Sequence, residues 1–388
     1  MTPRSQYPHF ESFLPSPAQE MLLKAGLLEN PEAVDCWREY LKQVEFDDTD
    51  FGSSRLLPLV YRNLNALGYD DAYMGRMKGI YRRTWAENQK NFQHIPGLVT
   101  AFRAAGIPLL LLKGSALLLL CYRDFGLRAM GDFDLAVPAP RILEAVRLLE
   151  KKHWRACLEY PKLQIELHHA VHFQSLRQED LDLHWHILVH RCEDAYDRPF
   201  WEGARPLEYK GEILLSPQPA DHLLHACLHG AAWSPLAPIR WVADAYYLIR
   251  RCEIDWERIL AMGPLLGMTP ALQVTMSYLK ERFSAPIPED FLLRLAAIEP
   301  PEWQRREFDV LSRPIGFFGM LPLLRQRYSH VDRGEERFKS FPDYLRTYYG
   351  LENYRDLLRY FSGKAWQKLR RRLGFQASRS TNATPSGA

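Results

Sequence analysis

Apolar residues recur at helical spacing over 18–28, 33–44, 55–67 and 73–95, with little of the alternation a strand requires. The stretch 1–95 therefore reads as a helical region, with Asn30-Pro31 as one helix boundary. The pattern then changes. A helix over about 94–105 leads through Gly106-Ile107-Pro108 into an all-apolar strand at 109–112, a Gly114-Ser115 turn and a short helix near 116–122. A strand at 132–137 ends at Pro138-Ala139-Pro140, and a helix follows to about 152. Further strands are expected at 155–159, 164–173, 181–188 and 206–215. From Pro217 the helical period returns, over 218–231, 238–252, 255–264, 269–282, 288–297, 302–312 and 340–372. The predicted class is α+β: a small mixed sheet with helices on one side, between a helical N-terminal region and a helical C-terminal domain. The expected divisions are 1–95, 96–215, 216–375 and a disordered tail at 376–388.

Composition narrows this picture only a little. The 388 residues are 47% apolar and 25% charged, as in ordinary globular proteins. A net charge of +3 is too small to make a polyanion a general partner. The six cysteines are scattered without a CxxC pair, which points to a reduced, cytoplasmic setting. The apolar run 107–122 is interrupted by Lys113-Gly114-Ser115 and too short to span a bilayer. Lys364, Lys368, Arg370, Arg371 and Arg372 form a basic stretch that a nucleic acid or an anionic membrane would attract, although such runs are more often solvated helix faces.

The chemistry concentrates in the centre. In Met-Gly-Asp-Phe-Asp-Leu (130–135), Asp132 and Asp134 occupy alternate strand positions and project the same way. Carboxylates so arranged are suited to hold two divalent cations for phosphoryl chemistry. Gly114 and Ser115 offer close backbone approach and a hydroxyl to phosphate oxygens, with Lys113 and Arg128 as candidate neutralising charges. Such chemistry needs a further carboxylate from another strand. Downstream, Asp-Leu-Asp-Leu-His-Trp-His (180–186) alternates, placing Asp182, His184 and His186 opposite Leu181, Leu183 and Trp185. Asp182 is thus the third candidate ligand, with Asp180 in reserve. On the helix near 221–231, Asp221, His222, His225 and His229 share one arc, facing away from Leu223, Leu224, Cys227 and Leu228. Asp244 falls inside an otherwise apolar helix and requires a buried partner, either Arg240 or a histidine.

Leu-Lys-Gly-Ser (112–115), Arg128, Gly-Asp-Phe-Asp-Leu (131–135) and Asp-Leu-His-Trp (182–185) together resemble the DNA-polymerase-β-type nucleotidyltransferase superfamily. Within it, the chain is most similar to the bacterial group labelled uncharacterised nucleotidyltransferases, over about 95–250. The resemblance implies that Gly114 and Ser115 contact the triphosphate of ATP or another NTP, while Asp132, Asp134 and Asp182 hold Mg²⁺, two ions in all. It implies transfer of an NMP group to an acceptor hydroxyl on a small molecule, a protein or an RNA end, with release of pyrophosphate. His184, Asp221, His225, His229 and Asp244 are then candidate contacts to acceptor or base. Sixteen residues separate Ser115 from Asp132, more than the compact superfamily pattern contains.

Two other classes compete. One is a metal-dependent hydrolase built on Asp221, His225, His229 and Asp244; its i, i+4, i+8 spacing spreads the third ligand away from the first two. The other is a catalytically silent relative that binds nucleotide or a partner protein.

Overall fold

The computed structural model describes residues 13–157, 167–189, 191–231, 239–314, 317–331 and 338–372; the expected tail at 376–388 lies outside them. The chain divides into two compact units, Met1–Pro314 and Ile315–Ala388.

The first unit opens with helices α1 (Pro17–Leu27), α2 (Glu32–Gln43), the single turn α3 (Phe51–Ser54), α4 (Leu57–Ala66), α5 (Met74–Phe92) and α6 (Ile95–Ala104). Local chemistry sets the boundaries. Ser16 and Gln19 form a capping box on α1, and the Asp50 carboxylate accepts the Ser53 N–H at the start of α3. Leu22, Leu23, Trp37, Val60, Met77 and Phe92 are fully buried, and they belong to one continuous core with the sheet and the later helices.

The sheet comprises β1 (Leu110–Leu112), β2 (Asp132–Ala136), β3 (Trp154–Ala156), β4 (Ala170–Ser175), β5 (Asp180–His184), β6 (Arg205–Tyr209) and β7 (Glu212–Ser216). Their spatial order is β3-β4-β5-β2-β1-β7-β6, with β2–β5 and β1–β7 parallel and the other pairs antiparallel. Register sorts the two faces. Leu111, Phe133, Leu135, Leu181, Leu183, Val171 and Phe173 line up across β1, β2, β5 and β4 on one buried face. Phe133 meets Trp154 edge-on at 5.7 Å between ring centroids. Helix α8 (Ile142–Lys151) packs on β3 and against α6, which itself packs on β7. The other face carries Asp132 beside Asp180, Asp134 beside Asp182, and His172 opposite Asp182.

Helices α10 (Pro219–Gly230) and α11 (Arg240–Arg251) pack against each other. They lie over a short helix, α7 (Lys113–Leu117), which continues as a π turn through Tyr122. Helices α12 (Trp256–Leu265), α13 (Thr269–Phe283), α14 (Glu289–Ala297) and α15 (Glu302–Leu311) complete the first unit, with α9 (Asp194–Glu202) between β5 and β6. The second unit contains α16 (Leu321–Val331), α17 (Phe341–Tyr348) and α18 (Tyr354–Arg372); Tyr328, Phe338 and Phe341 gather around Tyr344, while Tyr360 and Phe361 of α18 meet Tyr349.

Several expectations need correction. The Gly114-Ser115 turn is instead the first turn of α7, and the chain reverses at Lys113, whose φ of 46° is left-handed. The single strand expected at 206–215 is a hairpin, because Lys210 and Gly211 adopt φ of 49° and 78°. The helix expected over 340–372 breaks at Gly350, with φ 63°. The strand expected over 181–188 stops at His184, and α9 falls within 190–204, a stretch to which periodicity assigned no element.

Helices α10 and α11 approach so closely that a Cβ on Gly230 would overlap the indole of Trp241. Gly230→Ala is expected to lower stability by roughly 1–3 kcal/mol through overpacking. The reading is a urea midpoint below the wild-type value at unchanged slope.

Candidate active site

The polar face of the sheet forms the floor of a cleft of about 520 Å³. Its other walls come from α10, α11, the loop before β2 and the α3 segment. The parallel register of β2 and β5 brings Asp134 beside Asp182, and ligand atoms of Asp134, Asp182 and His184 lie within 4.8 Å of one another.

Asp134 is the electrostatic centre. Its Oδ1 accepts from Lys113 Nζ at 2.6 Å and from His184 Nε2 at 3.0 Å. The left-handed turn at Lys113 lets the residue following β1 aim its ammonium back over the sheet. Burial alone would raise the Asp134 carboxyl, but Lys113 and then His184 outweigh it and hold the group well below the usual carboxylate range. Asp132 moves the other way: burial, then repulsion from Asp134 and Asp182, raises its pKa. Asp182 accepts from His172 Nδ1 at 2.8 Å, while His172 Nε2 is 3.1 Å from Asp180 Oδ1. Burial disfavours a charged His172, yet the two carboxylates dominate and raise its pKa.

Three carboxylates thus share one face, and Asp132 still feels the other two as repulsion, offset only in part by Lys113. Of the groups on this face, Asp134, Asp182 and His184 bring ligand atoms close enough together for one divalent cation, with Asp132 adjoining them on β2. Hard oxygen donors suit Mg²⁺, and added positive charge relieves the repulsion.

The sequence candidates separate in position. Gly114 lines the cleft, and a Cβ there would overlap the Arg128 guanidinium. Ser115 is fully buried, and its Oγ has no hydrogen-bond partner among the described residues. The expectation of a Ser115 hydroxyl reaching phosphate is therefore corrected: helical geometry turns it into the protein. His184 is 1% exposed and lies beneath Asp134, so it supports the carboxylate and does not face an acceptor. His186 lies beyond β5, where its Nδ1 meets Asp197 Oδ2 at 2.6 Å and pins α9.

Arg128 does not stand free for phosphate. Its Nε and Nη2 bond the two oxygens of Asp244 at 2.7 and 2.8 Å, and Tyr122 Oη donates to Asp244 at 2.8 Å. Arg128 and Tyr122, not Arg240 or a histidine, are the buried partners that Asp244 requires. The long spacing between Ser115 and Asp132 has the same explanation, because the extra residues carry both partners across to α11.

Asp221 is likewise withdrawn. It is fully buried and receives Arg258 Nε at 2.6 Å and Nη2 at 3.0 Å. The hydrolase constellation loses both carboxylates to arginines, leaving His225 and His229, whose ring centroids are 6.2 Å apart. These two imidazoles do face the cleft, as does His222, which is buried against Ser216 Oγ at 2.8 Å. Burial, reinforced by Lys113, holds His225 far down and His229 at about 4; burial alone brings His222 to about 4.

Sequence reasoning missed His172 as the partner of Asp182, and Phe51, Arg55 and Arg240 as cleft residues. His172 was detectable from its strand alternation with Gln174, both opposite the Asp-x-Asp of β5. Arg55 lies in the helical stretch that showed no chemistry, and Arg240 was considered only as a partner for Asp244. Nothing local in the sequence marks either as facing the cleft.

Two outcomes follow. Arg128→Ala leaves Asp244 buried without its cation and is expected to cost about 3–5 kcal/mol, read as a lowered denaturation midpoint. His222 is neutral when folded, with a pKa below the ordinary value of about 6.5. Its contribution is complete above that pH and is lost as pH falls toward 4. The thermal midpoint of His222→Gln should therefore decline less between pH 6.5 and 4 than that of wild type.

No curated protein matches the chain significantly. Among solved structures, it is similar to an antigenic nucleotidyltransferase-like protein from Paracoccidioides brasiliensis. The two share 16% identity at a TM-score of 0.31, over 53% of this chain and 92% of that one. The family profile described as "Uncharacterised nucleotidyltransferase" matches residues 52–284, from α3 through the sheet to the end of α13. With more than half of its length matched, the chain belongs to that nucleotidyltransferase family.

Proposed function

We propose that the protein is a Mg²⁺-dependent nucleotidyltransferase of the polymerase-β type, moving an NMP group from an NTP to an acceptor hydroxyl. The observation that carries this reading is the convergence of Asp132, Asp134 and Asp182 on one face of the sheet, with Asp132 and Asp134 at the floor of a nucleotide-sized cleft. A row of like charges held side by side weakens a fold, so its presence argues for a ligand that needs it.

Asp132, Asp134 and Asp182 are the residues that would hold the metal. Bound there, Mg²⁺ supplies phosphate neutralisation and a more acidic acceptor hydroxyl. The chain's own groups account for the rest. Lys113 and His184 keep Asp134 ionised, and His172 orients the Asp182 carboxylate. The acceptor oxygen attacks the α-phosphorus, the bond to the bridging oxygen of the β-phosphate breaks, and pyrophosphate leaves. Asp182 would act with the metal to activate the acceptor and take its proton, while His225 and His229, kept neutral, line the cleft as hydrogen-bond acceptors. The sheet segment 96–215 is read as the catalytic domain, and α10 and α11 as its opposing wall.

The test is incubation with α-labelled NTPs, Mg²⁺ and cell extract. Wild type should move label to an acceptor and release pyrophosphate. Asp134→Asn and Asp182→Asn should each lower the rate about a hundredfold or more. Equal labelling by Asp134→Asn at intact folding would defeat the assignment.

A further inference from the structure

Four cationic side chains line the cleft: Arg55, Lys113, Arg128 and Arg240. Two are matched, Lys113 by Asp134 and Arg128 by both oxygens of Asp244. Arg55 and Arg240 have no carboxylate partner among the described residues. Both instead reach the same neutral acceptor, the Ala129 carbonyl, Arg55 Nη2 at 3.5 Å and Arg240 Nη1 more closely. One carbonyl leaves most of the two guanidinium forks without acceptors. Arg55 is also seated by Phe51, a cleft residue 60% exposed, whose ring centroid lies 5.4 Å from the guanidinium carbon.

We infer that Arg55 and Arg240 form a polyphosphate clamp, holding the terminal phosphates of the nucleotide against the cleft walls formed by α11 and the α3 segment. The inference rests on the proposed activity and extends it, assigning the leaving pyrophosphate to two arginines from separate parts of the chain. Planar guanidinium forks on α11 and beside α3 present parallel donors to phosphate oxygens. Burial, with repulsion from Arg128 and Arg55, lowers Arg240 to about 9, and burial with Arg128 also lowers Arg55. Arg128, bound to Asp244 and separated from Gly114 by no side chain, backs the clamp without belonging to it. The stretch around α3 thereby becomes a wall of the site, although its sequence shows only helical packing.

The probe is inorganic tripolyphosphate, which has neither base nor ribose, titrated calorimetrically into the full chain without divalent metal. Wild type should bind it more tightly than orthophosphate. Arg55→Gln and Arg240→Gln should each weaken binding about ten- to a hundredfold, the worth of a charge-assisted hydrogen bond. Arg250→Gln, which removes a surface arginine paired with Glu29, should leave binding unchanged. Arg55 is half-exposed, so its variant keeps the test valid if Arg240→Gln does not fold. Absent binding by wild type, or equal binding by Arg55→Gln, overturns the clamp. Label transfer on the same preparations separates the two claims. Transfer with arginine-independent tripolyphosphate binding sinks the clamp and leaves the activity. Arginine-dependent binding without transfer upholds the clamp and sinks the activity.

Discussion

The parallel pairing of β2 with β5 is the constraint from which the site follows. It aligns Asp132 with Asp180 and Asp134 with Asp182 on neighbouring strands. Such strands lie about 4.8 Å apart. At an effective dielectric of 20, two unit charges at roughly that distance repel by about 3 kcal/mol. The register itself cannot relax, because Phe133, Leu135, Leu181 and Leu183 are buried on the reverse face and a one-residue slip would turn them into the cleft. The apolar side of the sheet therefore forces the acidic side together. The chain answers with counter-charge: Lys113 on Asp134, His172 between Asp180 and Asp182, and an Asp132 that resists ionising.

Geometry on the opposite side is held by a second buried network, itself anchored in the N-terminal helices. Asn88 on α5 donates to the carbonyls of Phe125 and Arg128 at 2.6 and 2.8 Å, and Tyr81 donates to Asp124 at 3.0 Å. These bonds fix the loop that precedes β2, and the loop in turn delivers Arg128 and Tyr122 to Asp244 on α11. Helices remote in sequence from the carboxylates thus decide how far α11 stands from the sheet. Local strain at Lys113 and the missing side chain at Gly114 serve the same end, since each admits a charged group where an ordinary residue would block it.

What the sequence revealed, and what it hid, divides along physical lines. Strand alternation carries its own direction, so the common side of Asp132 and Asp134, and that of Asp182 and His184, was legible before any coordinates; that the two strands pair with these sides together was not. Helical periodicity located most helices within a few residues, because the apolar faces that it reports are the faces that pack. Partner identity was not legible. Whether Arg128 faces a phosphate or Asp244, or whether Asp221 faces a metal or Arg258, depends on which elements meet in space, and both readings satisfy the same local pattern. Ser115 shows the limit most sharply. A Gly-Ser pair after a strand is compatible with a turn or with the first turn of a helix, and only the helix buries the hydroxyl. Left-handed φ at Lys113 and Lys210 is equally silent, since neither residue is one whose type announces it.

Charge in the cleft is unevenly placed. Asp132 and Asp134 line the sheet side, and the acid on α11, Asp244, is matched by Arg128. Arg55 and Arg240 add cations from the α3 segment and α11, and histidines held neutral stand along α10. A cleft of one sign would attract or repel a ligand; a cleft of two signs orients it. Under the proposed activity, that polarity places the anionic end of a triphosphate toward the guanidiniums and leaves the α-phosphorus nearer the carboxylates. Neutral imidazoles are the appropriate lining for the remaining wall, because charged ones would compete with Lys113 for the same field. The depressed pKa values on α10 and the ion pair at Asp134 are then two consequences of one electrostatic layout, imposed by the register of two strands and the seating of α10 and α11 over them.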